Sequence, residues 1–414
     1  MKNYIKLIQG YSEANYKKMF REPQGFLKHP FIVPGSASYN NVLWDWDSWF
    51  TNIAIRQIMA DNNDNNLDFV KYEKGCILNY LEYRKEDGKI PIFITEDTIF
   101  PDIKDTKKTN IHKPCLAQHV AFIIRENQDD VEWIRPLFHE LESFVHYYMS
   151  QQKHEKTGLY FWVDDMAIGV DNDPSTFYRP KESSASIYLN CLMYRELLAM
   201  VYICNQLGKP AEEYKREAAS LKLAVNELLW DERNGMYYSA DLNLQPINPD
   251  SWLHSGRPRH WECLIQRVDC WAGFMAMWAG ISTEEQAKRM VLENILKQNL
   301  FCAEYGVRTL AKTEKMYCVV PSGNPSCWLG PVWGISNYLC YRGLMNYGFC
   351  DEARELACKT IKLFGMDIEK CGEMHEYYDP DTGEGVINAG FQNWNLLVNN
   401  MIAEIEGRTI IKEF

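Results

Sequence analysis

The chain has 414 residues, with hydrophobic and aromatic fractions of 46% and 13%. A composition this apolar supports a sizeable core and excludes global disorder. The formal net charge of -12, without any run of Lys or Arg, argues against a nucleic acid partner.

The expected location is the cytoplasm, with no membrane partner. No apolar run approaches the roughly 18 residues of a membrane span, and the N-terminal segment lacks the apolar stretch of a signal peptide. The 13 cysteines include no Cys-x-x-Cys pair, so we expect buried free thiols and no zinc ribbon. No motif implies a cofactor or a metal, and the sequence gives no oligomeric state.

Helical periodicity runs through the whole chain and predicts about twelve helices. In chain order, they are expected near 3–20, 48–60, 67–85, 115–127, 131–150, 184–207, 211–230, 271–280, 284–297, 331–346, 350–364 and 391–405. Strand signals are short and confined to 89–94 and 236–238. The prediction is an all-α protein.

Long irregular connections alternate with short ones along this series of helices. They lie near 22–44, 86–112, 154–182, 232–269, 298–329 and 366–390. This alternation favours antiparallel helical hairpins arranged in a barrel, with the long loops at one end, where function resides. No linker divides the chain, so a single domain over 1–414 is expected.

The unusual residues of the chain lie in these long loops. The first cluster, Tyr39–Phe50, contains three Trp and two Asp before a helix. Asp47-Ser48 could be only a helix cap, and Trp49 and Phe50 fit a core. The alternation of rings and acids also suits a sugar subsite, where rings pack on one face and carboxylates accept hydrogen bonds.

Two further clusters contain acids that a turn does not fully explain. Gly169–Pro174 carries Asp-Asn-Asp, a spacing that also resembles part of a calcium loop, although the ligand pattern does not continue. His375–Gly385 carries a Glu flanked by His and two Tyr. Two acids from distant loops in aromatic surroundings suit glycoside hydrolysis, which needs one protonated and one ionised carboxyl group. Spacing alone does not decide between retention and inversion.

Together these motifs resemble glycoside hydrolase family 63 and, more distantly, the trehalases of family 37. The similarity runs from about residue 28 to residue 400 and is strongest to compact bacterial members that act on mannosylglycerate and glucosylglycerate. The segments that carry it are Leu43–Phe50, Gly169–Pro174, Tyr194–Met200, Ala279–Ile281, Tyr305–Thr309, Gly330–Trp333 and His375–Gly385. The resemblance implies an (α/α)6 barrel and an inverting mechanism.

The resemblance also implies residue roles. Asp171 of the Gly-x-Asp-Asn pattern is expected to be the general acid, with a raised pKa, and Glu376 the general base; Glu384 is the alternative base. The residues predicted to bind substrate are Tyr39, Trp44, Trp46, Asp47, Lys113, Gln118, Asn172, Arg308, Trp333, Tyr377 and Trp394. No metal ligand is predicted.

The sequence departs from the family pattern at positions that bear on the substrate. Leu329 stands where Arg is often found, and Lys113 lies in an element that is usually Gln-Pro-Pro, so a polar contact is lost and a charged one gained. The expected reaction is hydrolysis of a small α-linked glucoside or mannoside, such as glucosylglycerate, mannosylglycerate or an α-gluco-disaccharide. The glycone, the aglycone and the linkage stay open.

Two other functions are compatible with a helical barrel. A sugar epimerase or isomerase would use pocket histidines, for which His112, His254, His260 and His375 are available. A non-catalytic sugar-binding barrel would not need the motif carboxylates.

Overall fold

The structure is a computed structural model that describes residues 1–64, 67–102, 107–248, 250–257 and 259–414. The predicted loops over 86–112 and 232–269 therefore lie partly outside these ranges. The predicted helix over 67–85 begins directly after two residues, 65 and 66, that are also outside them. The statements that follow concern the described residues.

The protein is mostly helical, and each of the twelve predicted helices is present. The helices are α1 Lys2–Asn15, α2 Asp45–Asp61, α3 Val70–Glu82, α4 Leu116–Glu126, α5 Phe138–Gln151, α6 Ile187–Leu207, α7 Glu212–Leu228, α8 Met275–Ala279, α9 Glu284–Arg289, α10 Gly334–Asn346, α11 Cys350–Cys371 and α12 Val398–Ile405. The predicted ends differ by a few residues. Helix α5 begins late because a 3-10 turn with Pro136 precedes it, and 3-10 turns also precede α8 and α12.

Even- and odd-numbered helices differ in burial. In α7 the buried residues are Tyr214, Ala218, Leu221 and Val225, one stripe at helical spacing. In α2, buried residues lie on every side of the helix. Helix α6 is long and apolar enough to cross a membrane by length and composition, but 72% of that stretch is buried in the protein. It packs on α4, α7 and α8, as a core helix does.

The even-numbered helices follow one another in space. Helix α4 packs on α6, α6 on α8, α8 on α10 and α12 on α2, while the 3-10 turn before α12 packs on α10. Asn52 of α2 and His119 of α4 are joined by a hydrogen bond of 3.0 Å. The odd-numbered α3, α7 and α11 each pack on the next or preceding even-numbered helix. The even-numbered helices therefore pack on one another, and the long loops meet at their N-terminal ends.

The structure also contains short strands, so the all-α prediction is incomplete. They are β1 Phe20–Arg21, β2 Phe31–Ile32, β3 Leu43–Trp44, β4 Phe93–Ile94, β5 Ile99–Phe100, β6 Ser184–Ala185, β7 Trp230–Asp231, β8 Met236–Tyr237, β9 Ser239–Asp241, β10 Leu264–Gln266, β11 Val332–Trp333 and β12 Tyr377–Tyr378. All pairs are antiparallel. They tie loops to helix starts: Trp44 pairs with Phe93, and Trp333 with Tyr377.

Candidate active site

A cavity of about 490 Å³ lies where the long loops meet the starts of α2, α10 and α12. Nine of the thirteen predicted site residues line it: Tyr39, Trp44, Trp46, Asp47, Lys113, Asp171, Trp333, Glu376 and Trp394. Trp44 directly precedes α2 and Trp333 directly precedes α10, while Trp394 lies in the turn that leads into α12. The helix starts therefore bring aromatic rings from distant parts of the chain to one site.

Glu376 is a buried carboxyl group, 4% exposed, at the edge of the β11–β12 pair. The hydroxyl of Tyr39 lies 3.3 Å from both of its carboxyl oxygens, and the side-chain amide of Asn388 donates to Oε2. Burial raises the pKa of Glu376 to about 7; the hydrogen bonds from Asn388 and Tyr39 lower it, and the charge of Asp171 raises it. The group can thus hold or release a proton near neutral pH.

Asp171 faces the same cavity from the irregular segment 165–177. Burial raises its pKa, while the charge of Lys113 and hydrogen bonds with Ser326 and Asn324 lower it. The backbone before it passes close to the cavity wall: at Gly169, which has φ +89°, an added Cβ would lie 2.6 Å from Cε of Lys113. Only glycine fits this approach without displacing a neighbour.

An acidic pair and a lysine form the buried wall beside these groups. Nζ of Lys113 lies 2.9 and 3.1 Å from the two carboxylate oxygens of Asp45, and Lys113 is 1% exposed. Asp47 accepts a 2.6 Å hydrogen bond from Asn393. Burial, with the charge of Asp45, raises the pKa of Asp47 to about 8, against the opposing effect of Lys113. The charged contact predicted for Lys113 is therefore made to Asp45.

Stacked aromatic rings form much of the cavity surface. The centroids of Trp328 and Trp333 are 4.0 Å apart at an interplanar angle of 10°, and those of Trp46 and Trp394 are 5.0 Å apart. The buried indole nitrogens of Trp44 and Trp394 have no hydrogen-bond partner among the described residues. The ring faces, and not these buried nitrogens, are what the cavity surface offers to a pyranose.

Two predicted binding residues, Gln118 and Asn172, lie outside the cavity lining. The side-chain amide of Gln118 donates to the carbonyl oxygens of Pro114 at 2.8 Å and Leu192 at 3.1 Å, which joins α4 to α6. Oδ1 of Asn172 accepts a 2.7 Å hydrogen bond from the backbone N–H of Trp328. Asn172 thus holds a cavity-lining ring in place instead of facing the cavity.

The other two, Arg308 and Tyr377, also make their contacts within the protein. The guanidinium of Arg308 is paired with Asp381 at 2.6 Å. The hydroxyl of Tyr377 donates to the carbonyl of Pro325 at 2.6 Å, and its ring stacks behind Trp333 at 4.8 Å. Both side chains support the lining from outside it.

Glu384, the alternative base, and the Asp-Asn-Asp segment with the calcium-like spacing can both be placed relative to the cavity. Glu384 is 70% exposed, 3.6 Å from Lys370, and does not line the cavity. Of the Asp-Asn-Asp segment, Asp171 faces the cavity, whereas Asp173 is buried and accepts from the N–H of Ser175 at 2.8 Å. Within the described ranges, no three His, Cys, Asp or Glu side chains are grouped as metal ligands.

Several lining residues were not predicted. They are Phe93, Phe100, Asp165, Met166, Ala167, Gly169, Phe177, Asn324, Ser326, Trp328 and Phe391. The amide of Asn388, which contacts Glu376, was missed as well. Phe93 lies within the predicted strand over 89–94 and Trp328 is close to the Gly330–Trp333 motif, so position in or near a motif was the available signal. Isolated residues of irregular loops carry none.

The sequence profile of the mannosylglycerate hydrolase MGH1-like glycoside hydrolase domain matches residues 39–395. Alpha-glucosidase 2 of Arabidopsis thaliana is 23% identical over 64% of this chain, and this alignment spans only 39% of that relative's length.

Two solved structures share the fold. The GH63 mannosylglycerate hydrolase of Thermus thermophilus, in complex with glucose, has a TM-score of 0.68 at 21% identity and covers 96% of this chain and 98% of that one. The same enzyme was also solved with Tris and D-glycerate. Neutral trehalase Nth1 from Saccharomyces cerevisiae has a TM-score of 0.64 at 16% identity, over 90% of this chain and 73% of that one.

Proposed function

Because the chain belongs to the family of mannosylglycerate hydrolase MGH1-like glycoside hydrolases, we propose that it is an inverting α-glycosidase acting on a small α-linked glucoside or mannoside. The observation that carries the proposal is that Asp171 and Glu376, from loops about 200 residues apart, line one aromatic cavity. The substrates considered are glucosylglycerate, mannosylglycerate and α-gluco-disaccharides. The Thermus relative solved with glucose and with D-glycerate supports a small carbohydrate ligand.

In the proposed reaction, Asp171 donates its proton to the glycosidic oxygen as the bond to the anomeric carbon breaks. Glu376 accepts a proton from a water molecule, whose oxygen attacks the anomeric carbon from the opposite face. An α-linked substrate then yields the β-anomer of the released sugar. Each carboxyl group ends the reaction in the protonation state of the other, and exchange with solvent restores the starting form.

The two carboxyl groups titrate as a pair. Burial raises the pKa of Glu376 to about 7, and the charge of Asp171 adds to the rise, so ionisation of one group makes ionisation of the other harder. Between the two steps the pair holds one proton, and this is the form that can supply both an acid and a base. Activity should fall on the acidic side as the second proton binds, and on the alkaline side as the last one leaves.

Glu376 is a better base than Glu384 on contact grounds. Glu376 faces the cavity and is held by Tyr39 and Asn388, whereas Glu384 is exposed beside Lys370. The isomerase alternative loses support because no histidine of the described residues lines the cavity. The acids and aromatic rings of the lining favour hydrolysis.

We also propose that the twelve helices form a closed (α/α)6 barrel and a single domain over 1–414. The support is the series of contacts among the even-numbered helices, with the Asn52–His119 hydrogen bond between α2 and α4. Cytoplasmic location belongs to the same proposal, since the trehalase relatives include a cytosolic neutral trehalase from Kluyveromyces lactis.

The test compares three variants on a panel of α-linked substrates: trehalose, kojibiose, nigerose, glucosylglycerate and mannosylglycerate. Asp171→Asn and Glu376→Gln should each lose roughly 10²–10⁴-fold in kcat/KM on the substrate that the wild type hydrolyses. Glu384→Gln is the matched control and should retain wild-type turnover. Near-wild-type turnover of either of the first two variants contradicts the assignment, and so does loss of turnover in the control alone.

A further inference from the structure

The cavity contains many carboxyl groups and little positive charge. Among the described residues that line it, the acids are Asp47, Asp165, Asp171 and Glu376, and Lys113 is the single cation. A ligand that carries its own carboxylate would enter this site against like charges, some of them on the catalytic pair. Recognition of such a ligand normally relies on an available Arg or Lys.

All three N–H donors of the Lys113 ammonium group are already used within the protein. Its ammonium group has three N–H bonds, and three acceptors already surround it: both carboxylate oxygens of Asp45, at 2.9 and 3.1 Å, and the carbonyl of Ala167 at 3.4 Å. The side chain is 1% exposed. Drawing Lys113 towards a substrate carboxylate would leave Asp45 buried without its partner, at a large cost.

Other cations near the site are also held by acids outside the cavity lining. Arg308 is paired with Asp381 at 2.6 Å, and Lys181 with Asp164 at 3.1 Å. Lys108 forms an ion pair of 2.9 Å with Glu182, and Arg179 is paired with Asp241. In the part of the chain that the structure describes, no unpaired basic side chain faces the cavity.

The segment that carries the proposed acid also brings apolar side chains to the cavity. Met166, Ala167 and Phe177 lie on the same segment as Asp171 and line the cavity with it. Met166 is 60% exposed, so this surface is open at the mouth of the site. The leaving group must lie beside the acid that protonates it, so it would contact these apolar side chains.

Aromatic rings extend the apolar lining along the β3–β4–β5 sheet. The centroids of Trp44 and Phe93 are 4.5 Å apart, and those of Phe93 and Phe100 are 5.0 Å apart and stacked at 11°. Such a wall suits the flat faces of a ring.

From these observations we infer that the aglycone is an uncharged ring with an apolar face, either a second pyranose or an aryl group, and not a carboxylate such as glycerate. The inference rests on the proposed glycosidase function and narrows its substrate class. Relatives of this family include a protein solved with D-glycerate, so the chain would differ from that protein in its leaving group.

Binding to the Glu376→Gln protein, which lacks the proposed base for every leaving group, tests the inference without turnover. The ligands, measured by isothermal titration calorimetry, are kojibiose, nigerose, trehalose and 4-nitrophenyl α-D-glucoside and α-D-mannoside, against glucosylglycerate and mannosylglycerate, with methyl α-D-glucoside and α-D-mannoside as glycones without a ring aglycone. At least one neutral-ring ligand should bind about 10-fold more tightly than the glycerate and methyl glycosides. The inference is overturned if a glycerate glycoside binds as tightly as the best ring ligand, or more tightly. It is also overturned if no ring ligand binds more tightly than the methyl glycoside of the same sugar.

A second variant locates the contact. Adding Phe177→Ala to the Glu376→Gln protein should weaken the best ring ligand by roughly 10-fold while the methyl glycoside is unchanged. Trp252→Ala, at an 89% exposed aromatic residue outside the cavity lining, is the matched control and should change neither. Equal losses for both ligands would show that Phe177 does not contact the aglycone. Wild-type release of β-sugar from a glycerate glycoside would preserve the glycosidase function while contradicting this inference.

Discussion

The segments that carry the two proposed catalytic carboxyl groups are built differently. Glu376 adjoins the β11–β12 pair, and the preceding residue, His375, is anchored to Asp367 on α11 through Nδ1 at 2.9 Å. Asp171 lies in the irregular segment 165–177 and lines the cavity together with Asn324 and Ser326 of another loop. The proposed base adjoins regular structure, whereas the proposed acid belongs to an irregular loop that also lines the cavity.

This difference predicts separate roles for the two sides of the cavity. The side of Glu376 carries Tyr39, Asn388 and the stacked Trp rings, the groups that we assign to the glycone and the attacking water. The side of Asp171 is formed by a segment whose sequence can change without disturbing a helix or a strand. Substrate preference is therefore expected to vary through the acid segment while the chemistry is retained.

The largest expected effect separates acid from base by the leaving group. On an α-glycosyl fluoride of the preferred sugar, departure of fluoride needs little protonation, so Asp171→Asn should retain turnover within about 10-fold of wild type. Glu376→Gln should still lose roughly 10²–10⁴-fold, because attack by water needs the base. Steady-state fluoride release measures both, and equal losses in the two variants would contradict the assigned roles.

The hydrogen bond from Asn388 lowers the pKa of Glu376, the proposed base. Asn388 has φ +49°, which glycine tolerates, so Asn388→Gly removes the amide donor to Glu376 without adding backbone strain. Loss of a donor to the ionised form should raise the pKa of Glu376 above about 7 and move the ascending limb of fluoride hydrolysis to higher pH. Ser38→Ala, which removes the hydroxyl 2.9 Å from the amide oxygen of Asn388, is the control and should leave the limb in place.

The charge of the acid acts on the base in the opposite direction. In Asp171→Asn one negative charge is removed from the cavity, so the pKa of Glu376 should fall below about 7. The ascending limb of fluoride hydrolysis should then move to lower pH than in the wild type. An unmoved limb would contradict this prediction and would show that Asp171 carries no charge that acts on Glu376 as Glu376 ionises.

The smallest expected effect concerns the anchor of the base segment. The hydrogen bond to Asp367 raises the pKa of His375 above its ordinary value. A raised pKa in the folded state stabilises the protein below the ordinary histidine pKa, and the contribution disappears as pH rises through the folded-state value. His375→Gln should therefore lower the urea midpoint more at pH 5.5 than at pH 9.

The control for this measurement is His139→Gln, at a side chain that is 78% exposed. It should change the midpoint little at either pH. A loss for His375→Gln that is the same at both values would mean that packing, and not the charge of the imidazolium, is what the residue contributes.

Much of the fold was predictable because helical periodicity is a local property of the sequence. The twelve helices follow from apolar spacing and from stops such as Gly208, which adopts the left-handed conformation at the end of α6. The short strands were largely missed, since two-residue pairs such as Trp333–Tyr377 depend on loops that meet only in the folded protein.

The site was predictable to the extent that its residues lie in recognisable motifs. Asp171 and Glu376 were chosen from such motifs, and both line the cavity. Motif polarity did not distinguish a ligand contact from an internal one: Arg308 and Gln118 use their donors on an acid and on carbonyl groups of the protein. Phe177 was missed because a single aromatic residue in an irregular loop has no periodic context.

Inversion by Asp171 and Glu376 can be tested from the anomeric form in which the released sugar first appears. Proton NMR would follow the wild type on trehalose, kojibiose, nigerose, glucosylglycerate and mannosylglycerate and record the released sugar before mutarotation. The account predicts the β-anomer as the first signal from the substrate that is hydrolysed. The α-anomer as the first signal would require a nucleophile that forms a covalent intermediate and would contradict the role given to Glu376.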